Sequence, residues 1–385
     1  MEPLRCERMY PLCVKKNKDG GTTRMHREID FACNLSVVAW KSFESGNVKG
    51  AKALYRRAIR VFERSPRTHS TDMAALLIRL GIILEKNHEY SEAGLNFKRS
   101  GEILDNVHPE KRVFRLKVQS LYHLGRIRRI QGCHSEAENL LKQAEQHAES
   151  NLGSRDTELA YARNQLGMFC KQRERYREAR NYYYSALRML ESILGPEESG
   201  VASIYRNLSD IELAKGRYKK GEPFARRALL IRMKALGPDH PEVAGDLTAL
   251  AALLFGQGKI VPAAKTYSRA LTILRDQYGI DHYDLVTPLT GLALIHLLRK
   301  ENSDAELVLW QVLAIKQKVL GQNHPEFAET SLQLVQVYKA SGRLEEAHLI
   351  CGKALKVFKR ILEPGDPKLV ACRKEYQLLG RLTAA

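Results

Sequence analysis

Small residues recur along this chain at a fixed step. Ala51 and Ala93 are 42 residues apart, and Ala137 follows 44 later. From there Ala179, Gly221, Ala263, Ala305 and Ala347 return at 42. Twelve residues before the first seven of these lies a second small column: Ala39, Gly81, Gly125, Gly167, Ser209, Ala251 and Ala293. A third, seven residues after the first, holds Ala58, Ser100, Ala144, Ala186, Ala228, Ala270 and Ala354. A large apolar residue precedes the second column, as at Leu80, Leu124, Leu166, Leu208, Leu250, Leu292 and Leu334. Within each half-repeat the apolar spacing is three, four and seven, and no stretch alternates as a strand does. The pattern predicts two antiparallel helices per repeat, with the small columns where they approach closely.

The predicted breaks between helices carry matching turn chemistry. Within a repeat the turn holds Gly or a polar cluster: Ser45-Gly46, Asn87-His88, Gln131-Gly132, Lys215-Gly216, Gln257-Gly258 and Ser341-Gly342. Between repeats the chain reads Leu236-Gly237-Pro238-Asp239-His240-Pro241-Glu242 and Leu320-Gly321-Gln322-Asn323-His324-Pro325-Glu326. Gly closes one helix, Pro suits the first turn of the next, and Glu complements the positive end of its dipole.

These residues resemble the tetratricopeptide repeat, in the 42-residue form of kinesin light chains. The resemblance implies an all-α, right-handed superhelical solenoid of about eight helix-turn-helix repeats plus a C-terminal capping helix. Residues 1–31 are expected to be a basic, mobile segment, 32–363 the repeats, and 364–385 the capping helix and tail. The kinesin-binding heptad coiled coil of the light chains has no counterpart in residues 1–31.

Composition narrows the partner. The chain of 385 residues carries 62 Lys and Arg against 44 Asp and Glu, a net charge of +18 that favours acidic partners. The seven cysteines are scattered without CxxC spacing, which reads as free thiols in a reducing compartment. No apolar signal stretch follows Met1 and no window reaches the length of a membrane span, so the expected location is cytoplasmic.

In the resembled family the first helix of each repeat lines the concave surface. The offsets that the resemblance assigns to this surface select Arg79 in the second repeat and Tyr122, His123, Arg126 and Arg129 in the third. They select Tyr161, Asn164, Gln165 and Lys171 in the fourth, and Arg206 and Asn207 in the fifth. Guanidinium forks and an ammonium suit carboxylates, side-chain amides suit a peptide backbone, and tyrosine supplies rigid contact area. Kinesin light chains and carboxylate-clamp repeats use Asn in this helix, matched here by Asn207 and, at the same column, by Gln165 beside Asn164. Val37, Ala249 and Gly291 interrupt that column, which confines the candidate groove to repeats two to five. Further on, Leu247, Thr248, Ala249, Ala252, Phe255, Leu289, Thr290, Leu294 and Leu297 form an apolar stretch suited to self-association.

No Walker A loop, HExxH, GxSxG or CxxC occurs. No catalytic residue, metal site or cofactor is expected, and the chain reads as no enzyme. The Asp239-His240-Pro241-Glu242 cluster recurs at Asn323-His324-Pro325-Glu326, which marks it as a helix start rather than a metal site. The leading reading is an interaction scaffold that binds an extended acidic peptide. A nucleic-acid-binding helical repeat and a peptide-responsive regulator are the alternatives; too few aromatic residues on the groove columns argue against the first.

Overall fold

The computed structural model describes residues 24–64 and 70–384. Among them are seventeen α-helices, one short 3-10 helix and no strand. Residues 24–31, placed by sequence in the leading segment, lie in the first helix, while residues 1–23 of that segment are outside the described residues.

The chain divides into two compact units, residues 1–211 and 212–385. In the first, α1 (Arg24–Glu44) packs on α2 (Val48–Glu63), and α3 (Ser70–Lys86) on α4 (Tyr90–Asp105). Likewise α5 (Lys111–Ile130) packs on α6 (His134–Leu152), and α7 (Thr157–Gln172) on α8 (Tyr176–Leu194). Helix α9 (Ser199–Ala214) spans the division. The second unit continues with α10 (Tyr218–Leu236), α11 (Pro241–Gly256), α12 (Ile260–Tyr278), α13 (Val286–Leu298) and α14 (Asn302–Leu320). It closes with α15 (Pro325–Ala340), α16 (Leu344–Ile361) and α17 (Pro367–Ala384), which packs against α16.

The helices keep the sequence step. The even-numbered helices from α6 to α16 begin at His134, Tyr176, Tyr218, Ile260, Asn302 and Leu344, each 42 residues after the last. The single step of 44 falls between Tyr90 and His134, where α5 runs to 20 residues against 16 in α7 and α11.

Large side chains explain the small columns. Ala51, Ala93, Ala137 and Ala179 are wholly buried, as are Ala263, Ala305 and Ala347 in the second unit. Four residues after each of these alanines stands a bulky group in most repeats, and it fills the space a Cβ would need. A Cβ on Gly81 would lie 2.6 Å from the Phe97 ring, and one on Gly167 would lie 2.4 Å from Tyr183. In the second unit Tyr267 reaches forward to the next repeat, where a Cβ on Gly291 would meet its ring at 2.3 Å. Gly291→Ala therefore reverses the ordinary helix preference. An exposed helical Gly→Ala gains about 1 kcal/mol, whereas here the overpacking costs about 1–3 kcal/mol. Urea unfolding checks the sign, and Tyr267→Leu in the same chain should recover most of the loss.

Helix ends follow the predicted chemistry. The turn inside each repeat needs a left-handed residue, supplied by Gly132 (φ 80°) but by Glu174 (φ 58°) one repeat later. At the His-Pro linkers the backbone N–H of Glu242 donates to His240 Nδ1 at 3.1 Å, and that of Glu326 to His324 Nδ1 at 3.2 Å. The histidine is thus the helix N-cap, with proline next to it in the first turn.

Candidate functional site

All eleven groove candidates lie on first helices of the N-terminal unit: Arg79 on α3, four on α5, four on α7, and Arg206 and Asn207 on α9. Helix α5 touches both α3 and α7, so these helices form one continuous layer beside their partners. The repeat period brings Asn164 and Asn207 of successive first helices together.

The cations are less available than their composition implies, because acidic residues one repeat away meet them. Arg126 Nε lies 2.6 Å from Glu85 Oε1, and His123 Nδ1 lies 3.3 Å from Glu85 Oε2. Lys171 Nζ donates to Asp210 Oδ2 at 2.8 Å. Arg129 Nη1 donates to Gln172 Oε1, a neutral partner, at 2.7 Å. Arg79 is buried and Arg206 half-buried.

Glu85 anchors this cluster. Its side chain is only 2% exposed. Burial alone would raise its pKa, but Arg126, His123 and Arg129 outweigh it and hold the carboxyl below the usual range. The His123 ring stacks on Phe97, with centroids 4.8 Å apart and 8° between planes. The imidazole is therefore a packed wall of the cluster rather than an open contact.

Tyr122 and Gln119 serve a second buried carboxylate. The Tyr122 hydroxyl donates to Glu158 Oε2 at 3.2 Å, and Gln119 Nε2 donates to Glu158 Oε1 at 2.9 Å. Asp156 caps α7 by accepting from the Glu158 N–H, and it also receives Arg115 Nη2 at 2.7 Å. Tyr161 stays half-buried on the following turns of α7.

The amides behave differently. Asn207 Nδ2 donates to Asn164 Oδ1 at 2.8 Å, across one repeat. That bond leaves the Asn164 nitrogen and the Asn207 oxygen as a donor and an acceptor on adjacent helices. Gln165, in the column of Asn207, is buried with its Oε1 unpartnered.

Sequence reasoning passed over Glu85, Glu158 and Gln172. A signal existed for the first: Glu85 stands in the same column as Arg129 and Lys171, eight residues before the alanine. Opposite charges about one period apart recur through the chain, as in Arg112–Asp72, Lys52–Glu89 and Lys339–Glu375. The apolar stretch of the C-terminal unit is less open than its composition suggests, since Leu289 and Thr248 are buried while Leu294 is 38% exposed.

Other chemistry is sparse. Burial pushes the Cys33 thiol up to about 12 and raises that of Cys170 as well, so neither is poised as a nucleophile. Among the described residues His296, Glu301 and Asp304 could converge on a metal ion, but His296 and Glu301 already bind each other at 2.7 Å. No helix among the described residues is long and apolar enough to cross a membrane.

Comparison with known proteins places the fold. The Rap conjugation gene regulator of plasmid pLS20, in complex with the Phr* peptide, is similar in structure with a TM-score of 0.60. Identity is 16%, and the match covers 88% of this chain and 94% of that one. A Rap protein complexed with competence and sporulation factor matches at a TM-score of 0.58 and 12% identity, covering 92% of this chain and 98% of that one. BtubC (BKLC) from P. vanneervenii is 18% identical, with a TM-score of 0.47 and coverage of 67% and 94%. A search of the curated proteins finds no match. One tetratricopeptide repeat profile matches residues 117–192 and 200–276, and a second matches 289–326 and 328–368. These stretches run over more than half the sequence and coincide with the helix pairs; the chain belongs to the tetratricopeptide repeat family.

Proposed function

We propose that this protein is an interaction scaffold whose N-terminal unit binds an extended, acidic peptide segment along α3, α5, α7 and α9. The observation that carries the reading is the amide pair. Asn164 and Asn207 hold each other in register across one repeat and keep a donor and an acceptor for a peptide backbone, as a bound strand requires. The preference for acidic ligands rests on the net charge of +18 and on the guanidinium groups gathered on α5. Support also comes from the fold, since the pLS20 Rap regulator is described with a peptide bound.

The test is a binding titration with labelled acidic peptides, their Gln-for-Glu counterparts and a generic DNA duplex, at low and high salt. Acidic peptides should bind best, and Asn164→Ala or Asn207→Ala should weaken them by about tenfold, the loss of one to two hydrogen bonds. Binding of the duplex with a steep salt slope, and of no peptide, sinks the proposal in favour of a nucleic-acid-binding surface.

A further inference from the structure

Two cysteines face each other across the last helix pair. Cys351 Sγ, on α16, lies 3.7 Å from the backbone oxygen of Cys372 on α17, and Cys372 Sγ lies 3.9 Å from that of Cys351. Each sulfur thus rests against the other residue's main chain. The thiols also hydrogen-bond to one another, with Cys351 as the donor. That bond gives the two thiols different roles. It holds the Cys351 proton in place, and burial adds to the effect. Cys372, the acceptor, is held below the usual thiol range against the opposing pull of burial. Cys372 is therefore the thiol that ionises first.

Both side chains are buried, so reaction waits on a local opening. Helix α17 is the element able to open. It is the last described helix, it packs on α16, and its other side leaves Lys374, Leu378, Arg381 and Leu382 exposed. A terminal helix held on one side opens at far lower cost than the core.

We propose that Cys351 and Cys372 form a dithiol which a low-molecular-weight disulfide oxidises, stapling α17 onto α16. The Cys372 thiolate attacks one sulfur of the oxidant RSSR and expels RS⁻, which takes up the proton Cys372 has lost. Cys351 then loses its own proton and attacks the Cys372 sulfur of the mixed disulfide, expelling the second RS⁻, which takes up that proton. Two protein thiols and one RSSR become one protein disulfide and two RSH. The new bond closes a loop between positions 21 apart and so removes the opened states of α17. Reduced, α17 is free to lift from Leu355 and Phe358 of α16, with which it shares a core; oxidised, it is held on them. The staple is independent of the peptide reading above.

The test treats the full chain with oxidised glutathione under conditions that glutathionylate the exposed Cys133. Unreduced digests are then mapped by mass spectrometry, and amide exchange is followed across α17. The Cys351 and Cys372 peptides should be joined, and exchange in α17 should slow at least about tenfold, with dithiothreitol restoring the original rate. In Cys351→Ala, Cys372 should stop at the mixed disulfide with glutathione, without the slowed exchange. In Cys372→Ala, Cys351 should stay unmodified. Modification of Cys133 with no joined peptide, or joining of either cysteine chiefly to another cysteine of the chain, overturns the proposal. A joined pair with unchanged exchange in α17 overturns the staple.

Discussion

Asp246→Ala should destabilise the C-terminal unit by about 3–5 kcal/mol, the usual cost of leaving a buried charge without its partner. Arg232 on α10 is wholly buried; its Nε donates to Asp246 Oδ2 at 2.7 Å and its Nη1 to Glu242, both on α11. The pair is a feature of this repeat and is not shared by the repeats compared with it in the chain. In the same two columns, one repeat earlier, stand Leu190 and Ile204, both buried. Two repeats later stand Lys316 and Thr330, where Lys316 Nζ donates to Thr330 Oγ1 at 3.0 Å. Replacing both members by the apolar pair, as Arg232→Leu with Asp246→Ile, should therefore lie within about 1–2 kcal/mol of the wild type. Urea unfolding of the three variants checks both values. A loss below about 1 kcal/mol for Asp246→Ala contradicts the reading of Arg232 as dependent on this carboxylate.

Glu85→Gln should cost the N-terminal unit a comparable amount, about 3–5 kcal/mol near neutral pH, because it leaves Arg126 and Arg129 facing each other without an intervening charge. The pH dependence has a definite sign. The folded-state pKa of Glu85 lies below its unfolded value, so the carboxylate stabilises the fold fully above the unfolded value, about 4.3 for Glu. That contribution is lost as pH falls through the folded pKa. The stability gap between wild type and Glu85→Gln should thus be widest at neutral pH and narrow under acid. Amide exchange across α3 and α5, followed from pH 7 downward, measures the gap in the unit concerned. A gap that is constant with pH would mean that Glu85 is not ionised in the fold.

The architecture was legible because packing constrains the buried columns alike in every repeat. Wherever two helices meet, Ala137, Ala179 or Ala263 must be small, and the helix starts repeat at the interval set by those residues. The break in the asparagine column had a physical cause that sequence alone did not expose: Gly291 stands there because the Tyr267 ring occupies the space of a side chain. The eleven candidate positions were legible as residues of first helices, but the charges that meet them were not. Arg126 and Lys171 were visible as cations; that Glu85 and Asp210 reach them depends on which columns of neighbouring repeats touch.

The claim that the N-terminal unit holds an acidic segment along its first helices is tested most directly by photo-cross-linking. An acidic peptide with a benzophenone at alternate positions is bound to the full chain, irradiated, and its attachment sites mapped by mass spectrometry. The account predicts adducts on α3, α5, α7 and α9, around Tyr122, Tyr161 and Asn164, lost when the peptide's acids become amides. Adducts confined to second helices or to residues beyond 211, or adducts indifferent to the peptide's charge, contradict it.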